Sequence, residues 1–162
     1  MRSCRRGTFC YTYSMSSNHR LSLIICILLI LTGLLILSRN TRSRPTVVLG
    51  GRLFSVEIAD TPALQQKGLS GHAPLNDREG MLFVFSRPDR YGFWMKDMLF
   101  PLDIIWIGSD WRITHIEHSL ATSTYPAVFY PEAPSRYVLE ISSGLSDTLG
   151  LKTGDIVKFS KN

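Results

Sequence analysis

Hydrophobic and polar residues alternate along several short segments of the chain, and each such segment predicts a β-strand. The clearest is RLFSVEIAD (residues 52–60), in which Phe54, Val56 and Ile58 fall on one face. Six more segments have the length and apolar content of strands: GMLFVFS (80–86), FWMK (93–96), LDIIWIG (102–108), WRITHIEHSL (111–120), RYVLEIS (136–142) and DIVKFS (155–160). About seven short strands predict a mostly β domain, and closure into a small barrel would remove exposed strand edges.

Two short helices are predicted between the strands, and the first has clear end signals. Thr61 is a good N-cap, Pro62 suits the first helical position, and Gly68 can adopt the left-handed conformation that ends a helix. With only two turns, this helix is interpreted as a lid or crossover rather than a core helix. A second short helix is predicted around Leu145 to Leu149, before Gly150.

One apolar segment is much longer than the strands. Leu21 to Leu37 (LSLIICILLILTGLLIL) contains 17 residues without a charge or a proline, which as a helix spans roughly 25 Å and is just enough to cross a bilayer. It predicts a transmembrane anchor between a basic tail (1–20) and a polar linker (38–45). A cleaved signal peptide is the alternative, but the apolar run is long for one and ends among arginines.

The charges that flank the apolar segment bear on its orientation. Four arginines precede it and three follow it. Together with the terminal amine, this small excess favours a cytoplasmic N-terminus. We therefore expect a single-pass protein of the cell membrane, with the β-rich domain (46–162) on the extracytoplasmic side.

Charge and cysteine content restrict the function of the domain. The formal net charge is +5, but seven of the 18 Lys and Arg residues lie at or before Arg44, where there is no acidic residue. The domain after Pro45 has 11 basic and 13 acidic residues and gives no reason to expect a nucleic-acid partner. All three cysteines precede the domain, which excludes a disulfide scaffold, a thiolate metal site and a cysteine nucleophile within it.

Polar residues within GFWMKDMLFPLDIIWI (92–107) are the first candidates for a binding site. Trp94 and Lys96 share one face of a predicted strand. Asp103 interrupts the next, otherwise apolar strand, in which Leu102, Ile104 and Trp106 face one way and Asp103, Ile105 and Ile107 face the other. In the functional interpretation, Trp94, Lys96 and Asp103 line a pocket where the charges pair with each other or with a ligand. In the alternatives, Lys96 lies at a rim while Asp103 accepts backbone N–H bonds, or the two form a structural buried ion pair.

Glu140 is a second carboxylate in an apolar strand. If its face and that of Asp103 converge, the two carboxylates could perform general acid–base chemistry. His115 and His118 are three apart in a predicted strand, so they point to opposite faces and do not predict a metal site. No motif indicates a nucleotide, a cofactor or a serine nucleophile. We expect no cofactor and no metal.

Four blocks of sequence, in this order, resemble the domain of unknown function 192 family: GLSGHAPLNDREGMLFVF, FWMKDMLFPLDIIWI, RYVLEISSG and LKTGDIVKF. The resemblance spans about Leu53 to Phe159 and implies a compact, β-rich, barrel-like fold, but no settled function. One departure is that the family's usual Gly-Arg is Gly71 followed by His72 here. The resemblance places the family's motif positions on Gly68, Gly71, Gly80, Met81, Phe83, Phe93, Trp94, Met95, Lys96, Pro101, Asp103, Tyr130, Tyr137, Glu140 and Gly154.

Two hypotheses about function follow. The preferred one is a membrane-tethered, non-catalytic domain that binds a small ligand, an envelope polymer or a partner protein through the region of Trp94, Lys96 and Asp103. Tyr130 and Glu140 are further ligand-binding candidates. The alternative is a hydrolase or lyase that acts through Asp103 and Glu140, with Lys96 as an electrostatic stabiliser. The absence of a recognisable catalytic motif favours the first hypothesis.

Overall fold

The computed structural model describes residues 22, 25–31 and 44–161. The chain divides into two compact units, residues 1–42 and 43–162, and each is described by itself. In the first unit, residues 22 and 25–31 are helical with exposed side chains. The other residues of the predicted anchor, Leu21 to Leu37, lie outside the described residues. Among the described residues, no helix is both long enough and apolar enough to span a membrane.

The described part of the second unit consists of seven strands and two short α-helices, which confirms the predicted mostly β fold. The helices are α1 (Pro62–Lys67) and α2 (Leu145–Thr148), with a 3-10 turn at Thr122–Thr124. The strands are β1 (Thr46–Leu49), β2 (Arg52–Ala59), β3 (Glu79–Asp89), β4 (Leu102–Ile107), β5 (Ile113–Leu120), β6 (Ser135–Ser142) and β7 (Lys158–Ser160).

All seven strands belong to one sheet in the order β5-β4-β6-β3-β2-β1-β7. β2 and β3 pair in parallel, and α1 lies in the crossover that a parallel pair requires. The segment before β7 reaches the start of β5, since Arg112 bridges to Ile156 and the N–H of Val157 donates to the carbonyl of Trp111 at 2.8 Å. The sheet is therefore a half-barrel, in agreement with the predicted barrel-like fold.

The ends of α1 follow the predicted signals. The Thr61 hydroxyl oxygen accepts a hydrogen bond from the N–H of Leu64 at 3.3 Å, and Pro62 occupies the first helical position. Gly68 has φ of 50° and ends the helix, a conformation that glycine adopts without steric cost. A side chain there would also lie 3.3 Å from the Phe83 ring. The sequence thus positions α1 closely against β3.

The sheet has an apolar core on each face because its side chains alternate. The first core includes Phe54, Ile105 and Ile141, and the second includes Phe83 and Trp106. All six residues of β4 are buried, because the strand lies between β5 and β6 and is covered on both faces. The predicted alternation within β4 is confirmed, since Leu102, Ile104 and Trp106 belong to the second core and Ile105 and Ile107 to the first.

One predicted strand is wrong and one strand was not predicted. Residues 93–96 (FWMK) belong to a loop, in which only Phe93 makes an isolated bridge, to Phe129. The loop alternates like a strand because Phe93 and Met95 turn into the second core while Trp94 and Lys96 remain exposed. β1 was not predicted because its four residues, TVVL, directly follow the polar linker and are too short to show alternation.

Candidate functional site

A cavity of about 360 Å³ opens over the second core. Its walls come from α1 and the turn after it, from β3, from the loop between β3 and β4, and from β6. We call it the aromatic cavity because five aromatic residues line it. Residues 65–70 and one buried acid also line it; the aromatic residues and the acid are Phe83, Phe85, Tyr91, Phe93, Trp94 and Glu140.

The aromatic walls are held by ring contacts. Phe85 and Tyr91 stack with centroids 3.6 Å apart, and Phe93 lies edge-on to Phe83 at 4.8 Å. Phe93 also contacts Trp106 edge-on at 5.7 Å. Trp94 is 43% exposed and therefore lies where the cavity meets solvent. The walls are thus fixed by core packing, while one aromatic side chain remains accessible.

The α1 side of the cavity is tied to the sheet by Gln65. Its side-chain Nε2 donates to the carbonyl of Ala59 at 3.3 Å and to that of Val84 at 2.9 Å. Ala59 ends β2 and Val84 lies within β3, so one amide group joins the helix to both parallel strands. This tie positions the neighbouring cavity residues of α1.

Glu140 is the buried acid of the aromatic cavity. Its side chain is nearly inaccessible, at 5% exposure, and in the described part of the chain its Oε2 has no hydrogen-bond partner. Its register partners on the flanking strands are Met81 and Ile104, which are apolar. Burial disfavours the ionised carboxylate and raises the pKa of Glu140 from 4.5 to about 8. The carboxyl group is therefore mostly protonated at neutral pH.

Asp103, unlike Glu140, has hydrogen-bond partners for both carboxylate oxygens. Its Oδ1 accepts the backbone N–H groups of Ser119 at 2.7 Å and Gly144 at 3.0 Å. Its Oδ2 accepts the N–H of Ser146 at 2.7 Å and the Ser146 hydroxyl at 2.6 Å. The side chain is completely buried. Asp103 therefore holds the start of α2 and the end of β5 against β4, which matches the interpretation that it accepts backbone N–H bonds.

The structure does not bring Asp103 and Glu140 together. In the antiparallel pair of β4 and β6, Glu140 is opposite Ile104, and Asp103 is opposite Ile141. Residues that face each other across a strand pair project to the same side of the sheet, and successive residues project to opposite sides. Asp103 thus belongs to the face of the first core and Glu140 to that of the second. The two carboxylates cannot act as an acid–base pair on one bond.

A serine and a histidine join Asp103 in a network that sequence analysis did not identify. His118 Nδ1 lies 2.9 Å from the Ser146 oxygen and 2.9 Å from Asp147 Oδ1. Although the residue types match a Ser-His-Asp triad, Ser146 is completely buried and donates its proton to Asp103. A triad serine instead gives its proton to histidine and faces the substrate. The network is structural.

Of the other predicted site residues, some line the aromatic cavity and some do not. Trp94 lines the aromatic cavity with Glu140, whereas Lys96 and Tyr130 are exposed and do not line it. The Lys96 carbonyl nevertheless accepts a hydrogen bond from the hydroxyl of Ser70, a cavity residue, at 2.9 Å. Tyr130 packs so closely on Gly92 that a Cβ there would lie 2.6 Å from its ring.

His115 and His118 have different partners. His115 contacts Glu117 at 3.1 Å, whereas His118 contacts the residues of α2. Among residues 22, 25–31 and 44–161, there is no cluster of three or more His, Cys, Asp or Glu side chains that could hold a metal ion.

Sequence reasoning missed several residues of the aromatic cavity. Phe83 and Phe85 are two apart on β3 and therefore share a face, and Tyr91 follows in the next turn. The available signal was this aromatic spacing next to the loop that carries Trp94. Gln65 gave no signal, because its neighbour Gln66 is the same residue type on the same short helix.

Comparisons with known proteins identify the family of the chain. The model of DUF192, described as "Uncharacterized ACR", matches residues 46–159. A UPF0127 protein of Thermococcus gammatolerans is 29% identical over 106 residues, which are 64% of this chain and 65% of that protein. The chain therefore spans just under two thirds of that relative's length.

Two solved structures are also similar. A Novosphingobium aromaticivorans protein of unknown function has a TM-score of 0.64 and 36% identity, over 74% of this chain and 89% of that chain. A candidate transcription regulator of Sinorhizobium meliloti has a TM-score of 0.65 and 30% identity, over 72% of this chain and 92% of that chain. These structural similarities support the fold, and the family model, which matches residues 46–159, shows that the chain belongs to the DUF192 family.

Proposed function

We propose that the second unit is a small-molecule-binding module and that the aromatic cavity is its binding site. The observation that carries this proposal is Glu140, a buried acid without a hydrogen-bond partner for Oε2 in the described part of the chain, at a cavity with aromatic walls. Burying such a group costs stability unless something compensates for it. A ligand with a complementary polar group would provide that compensation.

The dimensions of the aromatic cavity suit a small organic molecule. Its volume of about 360 Å³ lies within the usual range of small-molecule sites, roughly 300–1,000 Å³. Such sites combine mainly apolar walls with a few polar groups that orient the ligand. The aromatic rings and the single buried carboxyl group fit this description.

A binding function is favoured over the hydrolase or lyase hypothesis. Acid–base catalysis of that kind needs a second carboxylate near Glu140, and Asp103 projects from the opposite face of the sheet with both oxygens occupied. Among the cavity-lining residues that the structure describes, Glu140 is the one carboxylate. Of the predicted ligand-binding residues, the proposed site keeps Trp94 and Glu140 and does not include Lys96, Asp103 or Tyr130.

We also propose that the module is attached to the cell membrane through Leu21 to Leu37 and lies on the extracytoplasmic side. The support is the sequence itself, namely 17 uncharged residues and the small excess of arginines before them. In that location the ligand would be a small molecule of the cell envelope or its surroundings. An envelope polymer or a protein partner would have to present a small group to enter the aromatic cavity.

A fragment screen on residues 43–162 tests the binding function. This unit has two hydrophobic cores of its own. In the similar Novosphingobium structure, 89% of the chain aligns with this protein, so that protein folds with little besides this domain. Ligands that bind the folded state raise its unfolding temperature. We expect a set of small aromatic and cationic fragments to produce such shifts in the wild type.

A matched pair of variants locates the binding. Met98→Trp fills the aromatic cavity, whereas Leu99→Trp adds the same ring at the neighbouring residue, which is 67% exposed and outside the lining. The thermal shifts should disappear in Met98→Trp and remain in Leu99→Trp. If no fragment stabilises the wild type, or if Met98→Trp leaves the shifts unchanged, the proposed binding site is wrong.

A further inference from the structure

Three polar side chains of the aromatic cavity, Gln65, Ser70 and Tyr91, offer hydrogen-bond acceptors, because the protein already uses their donors. Both protons of Gln65 Nε2 go to backbone carbonyls, which fixes the amide orientation and leaves Oε1 as an acceptor. The Ser70 hydroxyl donates to the carbonyl of Lys96 at 2.9 Å. The Tyr91 hydroxyl donates to the carbonyl of Arg87 at 2.9 Å. A ligand that enters here can therefore donate hydrogen bonds to the side-chain oxygens of Gln65, Ser70 and Tyr91.

The aromatic walls favour a ligand whose hydrogen-bond donors carry positive charge. Aromatic faces carry negative electrostatic potential and attract ammonium and guanidinium ions within about 6 Å of the ring. Such attraction strengthens when the cation is removed from water. Phe85, Tyr91, Phe93 and Trp94 line the aromatic cavity together with Glu140.

We propose that the aromatic cavity binds an organic cation, an ammonium or guanidinium group on an apolar body, with the Glu140 carboxylate as its counter-ion. This inference rests on the proposed binding function and specifies its ligand class. The cation supplies the missing partner of Glu140 Oε2, its N–H groups meet the free acceptors of Gln65 and Ser70, and its apolar body contacts the rings.

Few other charges face Glu140. β3 and β4 present Met81 and Ile104 to it. Lys67 of α1 and Tyr91 of the loop are the other titratable side chains among the lining residues, and Lys67 is exposed to water, which screens its charge. Binding of a cation therefore couples mainly to the ionisation of Glu140 itself.

This coupling predicts the pH dependence of binding. Because burial raises the pKa of Glu140 to about 8, the free protein carries a proton there at pH 7. A bound cation favours the carboxylate, and the proton is released to solvent. The cation affinity should thus rise about tenfold per pH unit up to about pH 8 and then level off. A neutral ligand that accepts the Glu140 proton in a hydrogen bond would show the opposite trend.

Calorimetry on residues 43–162 tests the inference with two matched pairs of probes. Benzylguanidinium and benzylammonium are the cations, and benzylurea and benzyl alcohol are their neutral analogues of similar shape. Titrations at pH 6, 7 and 8, each in two buffers of different ionisation enthalpy, give the affinity and the number of protons released. We expect at least one cation to bind tenfold or more tightly than its analogue and to release nearly one proton at pH 7.

Glu140→Gln is the second arm of this experiment, since the amide keeps the shape and removes the charge. The preference for the cation and the proton release should both be lost. Equal or tighter binding of the neutral analogues, or cation binding without pH dependence in the wild type, would overturn the inference. If the fragment screen finds only neutral ligands in the aromatic cavity, the binding function stands and the cation class is wrong. If it finds none, the binding function itself fails.

Discussion

At the scale of single residues, two buried carboxylates in neighbouring strands have opposite environments. Asp103 accepts four hydrogen bonds, whereas Glu140 makes none with Oε2 in the described part of the chain. A carboxylate that accepts several hydrogen bonds is a structural element, and an unsatisfied one calls for an explanation. This difference is the reason that we assign structure to Asp103 and binding to Glu140.

The unsatisfied Glu140 predicts how stability changes with pH. Its pKa is about 8 in the folded domain and near 4.5 in the unfolded chain, so the folded state binds one more proton between these values. The contribution of Glu140 to the free energy of unfolding is then most favourable below about pH 4.5. It falls by about 1.4 kcal/mol per pH unit as pH rises toward 8. Urea unfolding of wild type and Glu140→Gln at several pH values measures the effect.

Glu140→Gln removes the titration and is the control. As pH rises from 5 to 8, the unfolding free energy of the wild type should fall relative to that of Glu140→Gln. Parallel pH profiles of the two proteins would show that Glu140 is not the unpaired buried acid that we describe.

Asp103 gives the second prediction at this scale. Asp103→Ala leaves the buried N–H groups of Ser119, Gly144 and Ser146 without their acceptor, so we expect a loss of about 3–5 kcal/mol in unfolding free energy. Lys96→Ala, at an exposed side chain, should change stability by less than about 0.5 kcal/mol. Chemical denaturation of both variants provides the comparison. An Asp103→Ala domain of wild-type stability would contradict the structural role.

The sequence shows both acids as unusual residues but not how they are used. Alternation correctly groups Glu140 with Val138 and separates it from Leu139 and Ile141. Whether Asp103 shares its side of the sheet depends on the register between β4 and β6, which are separated in the chain by β5 and a long loop. Local patterns do not encode that register. The network of Asp103, Ser146 and His118 is hidden for the same reason.

At the scale of elements, α1 is a wall of the aromatic cavity that depends on one side chain. None of its residues is fully buried, so hydrophobic packing contributes little to its position. The amide of Gln65 provides the connection to β2 and β3. The interpretation of this segment as a crossover is consistent with its place between two parallel strands.

Adjacent glutamines on α1 provide a matched test of this connection. Gln65→Ala removes two hydrogen bonds to backbone carbonyls and should lower the unfolding free energy by about 1–3 kcal/mol. Gln66→Ala makes the same chemical change at an exposed position and should have an effect within about 0.5 kcal/mol. Urea unfolding measures both. Equal effects of the two substitutions would mean that Gln65 does not anchor the helix.

Most elements could be predicted because their signals are local. The caps of α1 and the alternation of β2 and β4 are set by neighbouring residues and are confirmed. The segment 93–96 could not be distinguished from a strand, because a loop that buries every second side chain has the same pattern. Cavity walls that combine α1, β3 and this loop arise only from their packing, so the aromatic cavity could not be predicted.

At the scale of the whole molecule, the chain combines a proposed binding module with a predicted membrane segment. The topology is tested with Cys4 and Cys10, which precede that segment, because the β-rich domain has no cysteine. In a Cys26→Ser background, a membrane-impermeant thiol reagent should leave both cysteines unlabelled in intact cells and label them after permeabilisation. Labelling in intact cells would reverse the proposed orientation. A mature protein that begins after Ser38 would mean that there is no anchor.

The most direct test of ligand binding in the aromatic cavity uses the three tryptophans as internal probes. Trp94 lines the cavity and Trp106 lies in the core beneath it, whereas Trp111 packs on Tyr137 and Phe159 by the first core. Fluorine NMR of residues 43–162 labelled with 5-fluorotryptophan gives one resonance for each. Titration with benzylguanidinium at pH 8, and with the fragments that stabilise the domain, should shift the Trp94 resonance saturably and leave that of Trp111 unchanged. If no ligand moves the Trp94 resonance, or if the Trp94 and Trp111 resonances move alike, the aromatic cavity is not the binding site.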